Sequence, residues 1–130
     1  MHNYHIKYAE SSDGISWDRQ GIVAIDYKDQ LEYAISVPRV LKDPKGKFRM
    51  WFSSRASSSA DSYRIRYAES VDGINWVRKD DEVGIDISED GWDSEMICYP
   101  YVFDHDGKKY MLYNGNGYGK TGFGLAVLEE

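Results

Sequence analysis

The feature that most narrows what this chain can fold into is that it repeats itself. Tyr4-His-Ile-Lys-Tyr-Ala-Glu-Ser-Ser-Asp-Gly-Ile-Ser-Trp17 returns fifty-nine residues later as Tyr63-Arg-Ile-Arg-Tyr-Ala-Glu-Ser-Val-Asp-Gly-Ile-Asn-Trp76, with ten of fourteen positions identical. A weaker pair at a spacing of sixty-two aligns Ser36–Phe52 with Cys98–Asn114, setting Pro38 on Pro100, Val40 on Val102, Phe48 on Tyr110 and Trp51 on Tyr113. Self-similarity at a fixed period is the signature of folds that stack one supersecondary unit. The unit is about sixty residues long, so the 130 residues hold roughly two.

Each unit reads as four short strands. Ile35–Leu41 and Ile97–Phe103 are apolar, β-branched or aromatic runs, the composition of strands. Turns rich in Pro, Asp and Gly follow at 42–46 and 104–107, and lead into Lys47–Ser53 and Lys108–Tyr113. Tyr63-Arg-Ile-Arg-Tyr67 alternates strictly, so Tyr63, Ile65 and Tyr67 share one face. A Ser-x-Asp-Gly turn then runs through Trp17 or Trp76 to a fourth strand toward Ile25 or Ile85. No window shows a capped helical stripe. The fold class predicted is all-β, a single domain over 1–130 built of β-propeller blades: about two four-stranded antiparallel units. Lettering the strands A to D, the order is C-D (4–26), a full blade A-B-C-D (35–86) and a partial blade A-B-C (97–128). Nine strands do not close a ring of four or more blades. The chain is therefore expected to be a propeller fragment, or to self-associate head to tail as a dimer or trimer that completes a ring.

Composition removes several function classes. Twenty-two acidic against sixteen basic side chains give −6 with no Lys/Arg cluster, which argues against nucleic acid as a partner. No eighteen-residue apolar run exists, so no membrane-spanning helix is expected. The start of the chain lacks a secretory layout, and the single cysteine, Cys98, cannot form an internal disulfide. A cytoplasmic location is the matching expectation.

The motifs Tyr-x-Ile-x-Tyr-Ala-Glu-Ser-x-Asp-Gly-Ile-x-Trp, Gly91-Trp-Asp-Ser-Glu95 and Pro100-x-Val-x-Asp-x-Asp-Gly-Lys-Lys-Tyr-Met-Leu-Tyr-Asn-Gly115 resemble the later blades of the five-bladed β-propeller glycosidase superfamily (arabinanases, xylosidases, invertases and levansucrases; glycoside hydrolase families 32, 43 and 68). The resemblance implies a carbohydrate partner and hydrolysis or transfer of a glycosidic bond through carboxylates, with no cofactor and no metal. It also implies catalytic acids on the innermost strands around a central funnel, just before a proline. Here those places read Ser36-Val37-Pro38 and Cys98-Tyr99-Pro100, without a carboxylate. Glycoside hydrolysis needs two carboxyl groups across the scissile bond. The expectation is thus a glycosidase-like protein lacking a full catalytic set. The alternative is a non-catalytic carbohydrate- or protein-binding module.

Glu95, Asp93 and Glu32 are the weak catalytic candidates, each near the entry to an innermost strand. Trp92 beside the first two offers an indole face for a sugar ring, with hydroxyls left to the acids. The competing reading is that these acids cap loops. Arg39, Arg55 and Arg66 are candidate holders of hydroxyl or carboxylate groups. Asn114 and Tyr118 belong to a Gly-rich stretch, 114–124, read as a flexible hairpin beside the funnel; it falls one residue short of a phosphate loop and precedes a strand. Asp13 and Asp72 read as turn-forming residues resembling the Asp-box of sialidase propellers. Asp104-His105-Asp106 reads as a solvated turn and Cys98 as a buried thiol.

Overall fold

A computed structural model describes residues 2–129; Met1 and Glu130, the ends of the predicted 1–130 domain, lie outside the described residues. The protein is all-β. Among the described residues nine strands run in chain order: β1 (Ile6–Lys7), β2 (Val23–Ile25), β3 (Glu32–Lys42), β4 (Phe48–Ala56), β5 (Ser62–Ser70), β6 (Val77–Arg78), β7 (Cys98–His105), β8 (Lys108–Asn114) and β9 (Phe123–Val127). They form three antiparallel sheets, β1-β2, β3-β4-β5-β6 and β7-β8-β9, an arrangement consistent with part of a propeller.

The middle sheet is packed on both faces. Ile35, Met50, Phe52 and Ala68 meet Ile6 and Ile25 of the first sheet. Trp51, Ile65 and Tyr67 meet Ile97, Val102 and Met111 around the third. The strict alternation of β5 therefore does what period-2 patterning allows: Tyr63, Ile65 and Tyr67 are all buried. The expected fourth strand toward Ile85 is corrected. β6 stops at Arg78 because a short 3-10 turn over Asp80–Glu82 follows, and Ile85 and Ile87 instead fill the space between the second and third sheets.

Backbone pairing also corrects the weaker repeat. Arg39 pairs with Trp51 and Met50 with Val40, while Tyr101 pairs with Leu112 and Met111 with Val102. Trp51 thus corresponds to Leu112, not to Tyr113, and Phe48 corresponds to Lys109. The cause is turn length. Asp106 and Gly107 (φ 48° and 74°) close the second hairpin between His105 and Lys108, the two-residue left-handed turn that Asp-Gly favours. The first hairpin needs a longer loop folded around the Asp43 carboxylate, which accepts from the amides of Lys45 and Lys47.

The two Asp-containing turns form as their chemistry dictates. Asp13 Oδ1 accepts from the amides of Ile15 and Ser16, and Asp72 Oδ1 from those of Ile74 and Asn75, all at 2.8 Å. Trp76 donates from Nε1 to Gly73 O (3.0 Å) and packs on the core of the first and second sheets. Trp17, its repeat partner, is 56% exposed, since no described sheet covers it.

Candidate aromatic site at the inner strands

β3 and β7, the strands expected to be the inner ones, are tied together by Arg39 Nε donating to Val102 O (2.9 Å). Each carries a bulge before its proline: the register shifts between Ser36 and Arg39 and between Cys98 and Tyr101. At the bulges Val37 and Tyr99 take φ of 51° and 57°, the left-handed region that side chains normally avoid. The pre-proline places are thus special in backbone although they hold no acid. A bulge re-aims the side chain it carries.

At the starts of these sheets, tyrosines from distant segments converge. Tyr63 lies 6.2 Å from Tyr99 and 6.0 Å from Tyr118, ring centre to ring centre, and Tyr99 stacks on Tyr118 at 6.2 Å and 26°. Tyr4 and Tyr63, equivalent residues of the repeat, share a hydrogen bond through their hydroxyls. The Arg55 guanidinium sits 5.9 Å from the Tyr33 ring and 5.8 Å from Tyr63, and donates from Nη1 to the Tyr118 hydroxyl (2.9 Å). Arg55 also donates to Asp61 O (2.8 Å) and to both Asp61 carboxylate oxygens (3.3 Å each), while the Tyr33 hydroxyl donates to Asp61. Burial raises the Tyr63 and Tyr99 phenols above their ordinary value, and the Tyr4 hydroxyl adds to the effect on Tyr63. These phenols therefore stay neutral; Tyr63 is buried beneath the cluster, while half-buried Tyr99 and exposed Tyr118 present ring surface with hydroxyl rims. Such a surface suits a ligand with C–H faces and hydroxyl edges.

Of the residues singled out from sequence, the structure brings Arg55 and Tyr118 into this cluster. Asn114 supports it, donating from Nδ2 to Tyr118 O (3.3 Å). The Glu95 side chain is exposed at the same end. Its backbone is held by Asn116 Oδ1, which accepts from the Glu95 amide, and by Ser62 Oγ and Arg64 Nη1, which donate to its carbonyl. Asp93 is buried and accepts from the Tyr113 hydroxyl (3.0 Å); burial and then this bond push Tyr113 up to about 12.

Trp92 stacks on Tyr113 (5.5 Å, 29°), and its indole lies so close to Gly115 and Gly124 that a Cβ on either would come within 2.5 Å of a ring atom. That contact explains the glycines. The expected hairpin is tied to Trp92: Asn116 N and Thr121 Oγ1 both donate to Trp92 O (2.8 and 2.6 Å).

Three candidates point elsewhere. Glu32 is buried, with Arg78 donating to both oxygens (2.6 and 3.0 Å), the Lys28 amide to Oε2 (2.6 Å) and the Ser54 hydroxyl to Oε1. Burial alone would raise its carboxyl, but these donors outweigh it and hold Glu32 below the usual range. No oxygen is left free to serve a substrate. Arg39 lies in the other half of β3, 4.1 Å over the Tyr101 ring, and Arg66 is half-buried on β5. Cys98 is fully buried, and burial pushes its thiol up to about 11. Sequence reasoning missed Tyr33, Asp61, Tyr63 and Tyr99 as site residues. The usable signal was Tyr99 beside Pro100 and the repeated Tyr4/Tyr63 pair; Asp61 carries none.

No protein-family model matches the chain. Over 125 residues it is 50% identical to the uncharacterized proteins Rv1502 and MT1551 of two strains of Mycobacterium tuberculosis, covering 96% of this chain and 40% of each relative. The chain therefore spans about two fifths of the curated relatives it matches. Among solved structures, a complex of BT0996 with RGII superposes with a TM-score of 0.70 at 21% identity, over 97% of this chain and 36% of that one. A glycoside hydrolase superposes with a TM-score of 0.67 at 22% identity, over the same shares. The fold is thus one found in a glycoside hydrolase.

Proposed function

We infer that this chain is the sugar-contacting part of a glycosidase-like propeller and that it binds carbohydrate without hydrolysing it unaided. The observation that carries this reading is the convergence of Tyr33, Tyr63, Tyr99 and Tyr118 with Arg55 and Asp61 at one end of the inner strands. Its fold likeness to a glycoside hydrolase supports the substrate class. The pre-proline positions Val37 and Tyr99 favour binding over turnover, because neither supplies a carboxyl group and the reaction needs two. The test is a glycan array paired with a panel of nitrophenyl glycosides. Retained glycan binding with no nitrophenol release is expected from the 130-residue chain. Turnover by this chain, or an array with no bound glycan, would overturn the reading.

The reading extends to self-association of the 130-residue chain. Leu41, Trp51, Ile65 and Tyr67 of the middle sheet lie among the residues that meet the third sheet. By register their counterparts on the third sheet are Phe103, Leu112, Phe123 and Leu125. Phe123 and Leu125 are 73% and 61% exposed. A face that repeats a blade-to-blade contact favours a second copy as its cover.

A further inference from the structure

We propose that Tyr99 and Tyr118 form the sugar platform of this face, that Arg55 is its polar rim, and that the ring it takes is uncharged. The proposal rests on the carbohydrate reading above and narrows it to named residues and a ligand class. Its first support is where backbone strain falls. Among the described residues, the non-glycine positions with positive φ are Val37, Ala60, Asp61, Tyr99, Asp106 and Tyr118. Asp106 belongs to the two-residue hairpin turn. Asp61, Tyr99 and Tyr118 are linked to one another through Arg55 and the tyrosine stack. Side chains are held in that region only where the surroundings over-determine them, and such positions gather at ligand contacts.

The second support is the repeat. Val37 and Tyr99 occupy the same bulge on the two inner strands with nearly the same φ (51° and 57°). The backbone device is common to both blades while the displayed side chain differs. That is the behaviour expected of a specificity slot on a shared scaffold. In the third sheet the slot holds an aromatic ring that finds a partner in Tyr118, which is 46% exposed.

The third support is charge. Arg55 is matched by Asp61 at 3.3 Å and Arg64 by Asp86 at 3.5 Å. Glu95 is exposed at the same end, and the whole chain carries −6. A sugar bearing a carboxylate would meet the like charge of Asp61 and Glu95 beside Arg55, whose own cation is already paired. Arg55 keeps one further N–H on each of Nη1 and Nη2 with which to meet neutral hydroxyls, and its side chain is 28% exposed.

The experiment uses the 130-residue chain and four probes: arabinohexaose, xylohexaose, cellohexaose and, as the charged counterpart, trigalacturonic acid. Calorimetric titration of the unaltered chain is expected to find binding to at least one neutral oligosaccharide and weaker or no binding to trigalacturonic acid. Tyr99→Ala and Tyr118→Ala are each expected to weaken the neutral ligand by about tenfold, the scale of one lost stacking contact. Tyr118→Phe keeps the ring, gives up the Arg55 hydrogen bond, and is expected to stay within about threefold. Near-ultraviolet circular dichroism of each variant reports whether the fold persists. Equal affinity in both folded alanine variants would overturn the platform, with the carbohydrate reading intact. Preference for trigalacturonic acid would overturn the charge argument. An unaltered chain that binds none of the four would remove the carbohydrate reading itself.

Discussion

At the scale of single residues, Glu32 shows how a candidate acid becomes a brace. An acid near an inner strand is visible in the sequence, but its partner Arg78 lies forty-six residues away on another strand, and no local pattern announces the pair. With Glu32 buried and Arg78 donating to both oxygens, removing the cation strands a charge in the interior. Arg78→Ala is expected to cost about 3–5 kcal/mol in urea unfolding, and Glu32→Leu combined with Arg78→Met much less than the sum of the single changes. A loss below about 1 kcal/mol in Arg78→Ala would mean that the bridge is not a buried one.

Glu69 makes a prediction about acid. Burial alone would raise its carboxyl, but the Tyr67 hydroxyl and the ammonium groups of Lys47 and Lys79 outweigh that and hold it at about 2. Because the folded value lies below the ordinary 4.5, the stabilisation is complete above that pH and drains away as pH falls toward 2. Thermal midpoints measured across that window should decline, and Glu69→Gln should show a shallower decline over the same range.

At the scale of elements, patterning and turn chemistry are readable where they are local. The alternation of β5 and the Asp-Gly turns follow from neighbouring residues alone. The β3 and β7 bulges are only half legible: Pro38 and Pro100 mark the places, but the positive φ at Val37 and Tyr99 goes with register shifts that involve the partner strands. The one-residue slip between Trp51 and Tyr113 is hidden because side-chain similarity favours the aromatic match, whereas turn length sets the register. The Gly-rich stretch looks flexible in the sequence because the reason for its glycines, Trp92, lies more than twenty residues upstream. Gly115→Ala would drive Cβ into Trp92 O and is expected to destabilise by about 1–3 kcal/mol, since backbone must move. Gly14→Ala, with open space around it but φ of 76°, should cost only about 1 kcal/mol. Chemical denaturation of the pair checks the order; equal losses would remove the packing role given to Gly115.

At the scale of the whole molecule, two inter-sheet cores account for the fold. Burial of Ile35, Met50, Phe52 and Ala68 on one side and Trp51, Ile65 and Tyr67 on the other makes the middle sheet the best covered. Among the described residues, Phe123 and Leu125 on the third sheet's outer face are exposed where their counterparts on the middle sheet are buried. Light scattering of the 130-residue chain should therefore give a mass above 15.0 kDa that rises with concentration, and Leu125→Lys should restore the monomer. A monomer at every concentration would rule out the copy-to-copy contact.

The central claim is that ligand recognition lies where the inner strands begin and their tyrosines meet. Amide chemical-shift mapping during titration with xylohexaose, arabinohexaose and cellohexaose tests it most directly. The expected shifts cluster at Tyr33, Asp61, Tyr63, Tyr99 and residues 116–119, leaving the Asp13 and Asp72 turns still. Shifts confined to those peripheral turns or to the outer face of the third sheet would contradict the account.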